Sequence, residues 1–120
     1  MLNPGSKFLV LEAYVMEVAP PVNRQDILRL IYMTIDEINE TLPEDRQLEK
    51  SVGTHLIGRG GKLDSLGLVN FIILLEQRLA DEFRLAVTLA DEKAVSRVNS
   101  PFRTVENLTD YVLEILEGTE

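Results

Sequence analysis

Apolar residues recur at helical spacing in three strong stretches of the chain. The first holds Ile27, Leu28, Ile31, Ile35 and Ile38 on one side, with Asp36, Glu37 and Glu40 opposite, which predicts an amphipathic helix. Asn23 is placed to cap it, Asp26 suits its first turn, and Pro43 stops it. The second runs from about Ser65 to Asp81 and buries Leu68, Phe71, Ile72, Leu75 and Leu79, the pattern i, i+3, i+4, i+7, i+11. The third begins after Thr104, a capping residue, and turns Val105, Leu108, Val112 and Ile115 inward, with Gly118 ending the ordered chain.

Between these the pattern is weaker. Phe8, Leu11, Val15 and Val18 suit one helical face, although the β-branched Val10, Val15 and Val18 leave a strand open. Ala19-Pro20-Pro21 closes that segment. Phe83 to Thr88 alternates and reads as an extended crossing. Leu89 to about Arg97 fits a short helix, broken by Asn99-Ser100-Pro101. Residues 43–63 form a long connection, polar first and glycine-rich at its end, where Gly60-Gly61 reads as a flexible loop.

That connection delivers the chain to Asp64-Ser65-Leu66. If Asp64 caps the helix, Ser65 takes the first helical position with its hydroxyl outward. A phosphate on that oxygen would sit at the positive end of the helix dipole. Beside it lies a second apolar stripe, Leu66, Val69 and Ile73. Such a helix is either buried all round or offers one face to a partner. A small domain has little means of covering both faces, so a docking surface is the expectation.

Composition narrows the function. The chain has 120 residues and a net charge of −8, which argues against nucleic acid and anionic membrane surfaces and favours partners with basic patches. It has no cysteine, so a thioester would need a sulfur from an attached group. The run Phe8-Leu9-Val10-Leu11 is broken by Glu12 and is no signal peptide, and no apolar run reaches membrane-spanning length. A cytoplasmic location is expected.

Helix, long loop, Asp64-Ser65-Leu66 helix, extended link, short helix and capped final helix: in this order the chain resembles the acyl carrier protein family from about Arg24 to Leu116. Leu79 and Phe83 at the end of the serine helix, and Thr104-Val105 before the last one, add to the resemblance. It implies an all-α fold, a four-helix bundle, with residues 1–22 as an N-terminal extension, 23–117 as the carrier domain and 118–120 as a tail. It also implies that Ser65 carries 4′-phosphopantetheine, added from coenzyme A by a phosphopantetheinyl transferase to which Asp64 and Leu66 help present it. The thiol of that group would hold acyl intermediates of fatty-acid, polyketide or related specialised biosynthesis for acyl-loading and acyl-processing enzymes. The carrier itself would not be an enzyme. Partners would meet Val69, Ile73 and Glu76. Gly67, Asn70 and Gln77 stand where the family's fatty-acid members commonly have acids, leaving chiefly Asp64 and Glu76, with Arg78 close by. A specialised carrier read more through Val69 and Ile73 than through charge fits this departure.

Other readings compete. The same helix could serve an interaction module that is never modified. Asp64-Ser65-Leu66 also resembles part of a hydrolase block, but Leu63 replaces its glycine and the one histidine, His55, lacks an evident orienting acid. Gly58 to Lys62 fails the phosphate-loop pattern, with Leu56 and Leu63 at its fixed positions. For Arg59 and Lys62 the alternatives are contact with a phosphate and plain solvation. The carboxylates at 36, 37, 40, 44 and 45 lack metal-site spacing, and Tyr14, Tyr32 and Tyr111 read as packing residues.

Overall fold

A computed structural model describes residues 22–84, 86–89 and 100–117. The expected helix within residues 8–18, all but the first residue of the short helix expected from Leu89 to Arg97, Tyr14 and the end at Gly118 lie outside them. The described residues are all-α: α1 is Arg24–Asn39, a single 3₁₀ turn spans Glu44–Arg46, α2 is Ser65–Phe83 and α3 is Val105–Glu117.

α1 is the central element, since both α2 and α3 pack against it. It therefore buries a wider arc than one stripe. Leu30 and Thr34 join the five residues expected from spacing, and the Thr34 hydroxyl is satisfied by donating to the Leu30 carbonyl at 2.8 Å. Its start is a full capping box: Asn23 accepts from the Asp26 amide at 2.9 Å, and Asp26 accepts from the Asn23 amide at 3.2 Å. Ion pairs tie α1 across to its neighbours, Arg29–Glu82 and Glu37–Arg78 to α2 and Arg24–Asp110 to α3. The first two run in opposite order along the helices, so α1 and α2 are antiparallel.

α2 continues two residues past the expected Asp81, and Phe83 is its last helical residue, not the first of an extended link. The helix stops because Arg84 adopts a left-handed conformation (φ 58°) and donates its N–H to the Ala80 and Leu79 carbonyls. That is a C-cap usually given to glycine, which the sequence did not signal. Residues 86–89 are non-helical, and Leu89 locks them down. Its side chain is fully buried, its N–H donates to Glu76 at 2.8 Å, and its carbonyl accepts from the Tyr111 hydroxyl at 2.8 Å.

The connection 43–63 belongs to the core. Leu48, Leu56 and Leu63 are buried. The Asn39 side chain pairs both ways with the Leu48 backbone, at 2.9 and 2.8 Å. Further on, an isolated antiparallel bridge joins His55 to Thr104. Val52 and Thr54 carbonyls accept from the Glu106 and Val105 amides, each at 3.0 Å, and the Thr104 hydroxyl oxygen accepts from Asn107 at 3.0 Å. Three otherwise unpaired donors of α3's first turn are thus satisfied, two of them by the loop that precedes α2.

Candidate functional site

The approach to Ser65 is built by close contact. The Gly61 N–H donates to the Gly58 carbonyl at 2.9 Å, closing a turn with Gly60 at φ 83°, the left-handed position such a turn needs. Leu63 then donates to the Leu56 carbonyl at 3.0 Å. Gly61 itself lies on the Ile57 backbone, where a Cβ would fall 2.5 Å from the Ile57 carbonyl carbon and Cα. The two glycines read as a flexible loop therefore have separate steric duties.

Leu63 and Leu68 are both buried and occupy the N′ and N4 positions of α2, the places of a hydrophobic staple. With both turned in, Ser65 and Leu66 between them are turned out. Asp64 is the N-cap, accepting from the Gly67 amide at 2.7 Å. Gly67 has little room beyond hydrogen, since a Cβ there would meet the Asp64 carboxylate and a Leu63 methyl at 3.2 Å each. An acid at that position would crowd the cap. Asp64→Ala should cost about 1 kcal/mol of stability. Urea unfolding followed by circular dichroism measures it, and Asp64→Asn should recover most of the loss.

Ser65 is exposed, and its hydroxyl has no hydrogen-bond partner among the described residues. Leu66, Val69 and Ile73 are 69 %, 50 % and 46 % exposed, so the second stripe of α2 is open surface. No protein-family model, curated protein or solved structure matches this chain. The site is therefore read from its own geometry.

Glu76 does not join the open stripe. It lies between that stripe and the buried face, half-buried, with its carboxylate on the Leu89 amide. Arg78 faces the other way, toward Glu37 on α1. Asn70 and Gln77 remain exposed and uncharged. The carboxylates on α1 are partly structural, with Asp36 on Lys50 and Glu37 on Arg78. His55 is exposed, serves the bridge through its backbone, and makes no hydrogen bond to Ser65. A serine nucleophile acting alone would need a base within hydrogen-bond reach.

Neither of two cavities bordered by the described residues is lined by Ser65. One of about 290 Å³ borders Leu48, Thr54, His55 and Lys62. Another of about 300 Å³ borders Ser100, Arg103, Asn107 and Tyr111. Among the described residues no cluster of histidine and carboxylates is placed to hold a metal, and no helix is long and apolar enough to cross a membrane. Sequence reasoning missed the clamp on the serine, Leu56 and Leu63, because they are isolated apolar residues in a polar, glycine-rich stretch with no period to reveal them.

Proposed function

We propose that this chain is a carrier of the acyl carrier protein type, with a four-helix carrier domain, modified on Ser65 by 4′-phosphopantetheine. The single observation that supports it most is the serine hydroxyl itself. It is exposed, without a hydrogen-bond partner among the described residues, and held at the first position of α2 by two buried leucines. The residues fit the group: a phosphodiester on Ser65 has open space around it and the positive end of the helix dipole beneath it. When bound, the group would supply a thiol for thioester formation, which a chain without cysteine cannot offer.

The chain's own contribution is presentation. Asp64 fixes the first turn, the turn at residues 58–61 and the pairing of Leu56 with Leu63 aim it, and Leu66, Val69 and Ile73 give a modifying or processing enzyme an apolar hold. Acid–base chemistry would come from the partner, because no side chain of the described residues is hydrogen-bonded to the hydroxyl.

Incubation of the purified chain with coenzyme A and a promiscuous phosphopantetheinyl transferase should raise its intact mass by one phosphopantetheinyl group. Ser65→Ala, which removes only an exposed oxygen, should stay folded and gain nothing. An unchanged mass for the wild-type chain, with a known carrier labelled in parallel, would sink the reading in favour of the unmodified interaction module.

A further inference from the structure

The peptide unit joining Lys62 to Leu63 is held at both ends. Its carbonyl accepts from the Arg46 guanidinium at 2.7 Å, and its N–H donates to the Leu56 carbonyl at 3.0 Å. Leu56 is itself tied down, with its N–H donating to the Arg103 carbonyl at 2.7 Å and its side chain fully buried. Leu63 immediately precedes the Asp64 cap. A peptide unit is planar and stiff, so only the backbone rotations at Leu63 and Asp64 separate this held plane from the first residue of α2. The burial of Leu63 and the bond from Asp64 to the Gly67 amide restrain those rotations in turn.

Arg46 reaches Lys62 from a fixed base. Its own N–H closes the 3₁₀ turn on the Pro43 carbonyl at 2.9 Å. The next side chain, Gln47, donates to the Asn39 and Leu42 carbonyls at 3.3 Å each, and Leu48 is paired with Asn39. The guanidinium thereby bridges the end of α1 to the entrance of α2, across 16 residues of chain. Glu44 and Asp45 adjoin Arg46 in sequence, yet it makes no ion pair with a carboxylate among the described residues. Its charge is spent on a backbone carbonyl, where it strengthens the hydrogen bond, and a second bond on the same peptide reinforces the first.

Global stability is a poor account of this contact. Arg46 is exposed, and one hydrogen bond at the surface adds little to the free energy of the whole fold. Its effect is local: without the guanidinium, the Lys62 carbonyl turns to water and the peptide is gripped from the Leu56 side alone.

We infer that Arg46 is a positioning residue for Ser65, which fixes the direction in which the serine hydroxyl leaves α2 by gripping the peptide ahead of the cap. The purpose of that grip rests on the carrier reading, since a modifying enzyme must meet the oxygen at a set angle.

Arg46→Ala and Arg46→Lys in the full-length chain test it. Melting of Arg46→Ala should fall by about 5 °C at most. Amide exchange followed by NMR should speed up roughly fivefold or more at Leu63 and Gly67, while the Asp26 amide in the cap of α1 keeps its rate. With coenzyme A and a phosphopantetheinyl transferase, kcat should drop roughly tenfold at nearly constant KM for the chain and for coenzyme A. Arg46→Lys, which keeps one charged donor, should recover about half of both effects or more. A raised KM for the chain at constant kcat, with Leu63 exchange unmoved, would make Arg46 a direct contact of the enzyme and overturn the inference. A large melting loss with faster exchange throughout would overturn it as well, by making Arg46 a staple of the whole fold. The two ideas fail separately: a wild-type chain that gains no mass sinks the carrier reading while exchange still decides the role of Arg46, and unmoved exchange sinks that role while the mass gain stands.

Discussion

Gly61→Ala is expected to destabilise the protein by about 2–4 kcal/mol, the upper range for forcing an extra carbon into a packed site. The obstacle is backbone. The new Cβ would lie 2.5 Å from two Ile57 atoms and 2.6 Å from its nitrogen, so no side-chain rotation relieves it. Either the turn at 58–61 opens or Ile57 moves, and Ile57 directly follows Leu56, whose backbone pairs with Arg103 and Leu63. The variant should therefore lose more than stability. On the carrier reading, its rate of modification by a phosphopantetheinyl transferase should also fall although Ser65 is untouched. Gly58→Ala is the control: its Cβ meets nothing within 4 Å, so only the strain of a φ of 80° counts, about 1 kcal/mol. Equal melting losses for the two variants would show that the close approach to Ile57 is not what demands glycine.

Phe102→Ala should cost about 3–5 kcal/mol, as for other fully buried aromatic side chains. Phe102 packs edge-on against Tyr111, with ring centres 5.7 Å apart. Tyr111 in turn holds the Leu89 carbonyl, and Glu76 holds the Leu89 amide. Removing the ring empties a site that three segments share, so the loss should exceed that of Leu108→Ala on α3 alone, and the protein should melt tens of degrees lower at about 4–8 °C per kcal/mol. A differential scanning calorimetry trace displaced by only a few degrees would mean that the cavity collapses without penalty.

What could be read from the chain alone follows from how each residue signals its place. Periodic residues declared themselves: the five buried positions of α2 and the caps at Asn23, Asp64 and Thr104 stand where spacing and capping chemistry put them. The open stripe of Leu66, Val69 and Ile73 was legible for the same reason. Leu48, Leu56, Leu63 and Phe102 were not, because each is a lone apolar residue among polar or turn-forming neighbours and its burial depends on contacts far along the chain. Leu30 and Thr34 lie off the single apolar stripe and are buried because α1 packs on two sides. Spacing alone marks Glu76 as a surface acid open to partners. Its engagement with an amide thirteen residues on depends on the path of residues 86–89, which no local pattern encodes.

The pairing of Val52 and Thr54 with the first turn of α3 bears on the order of events during synthesis. Ser65 leaves the ribosome some forty residues ahead of the amides of Val105 and Glu106 that hold its loop. Until those amides emerge, α2 has a serine but no shaped approach to it. On the carrier reading, modification of Ser65 would wait until the first turn of α3 has emerged, and a product truncated before Val105 would present its serine poorly to a modifying enzyme.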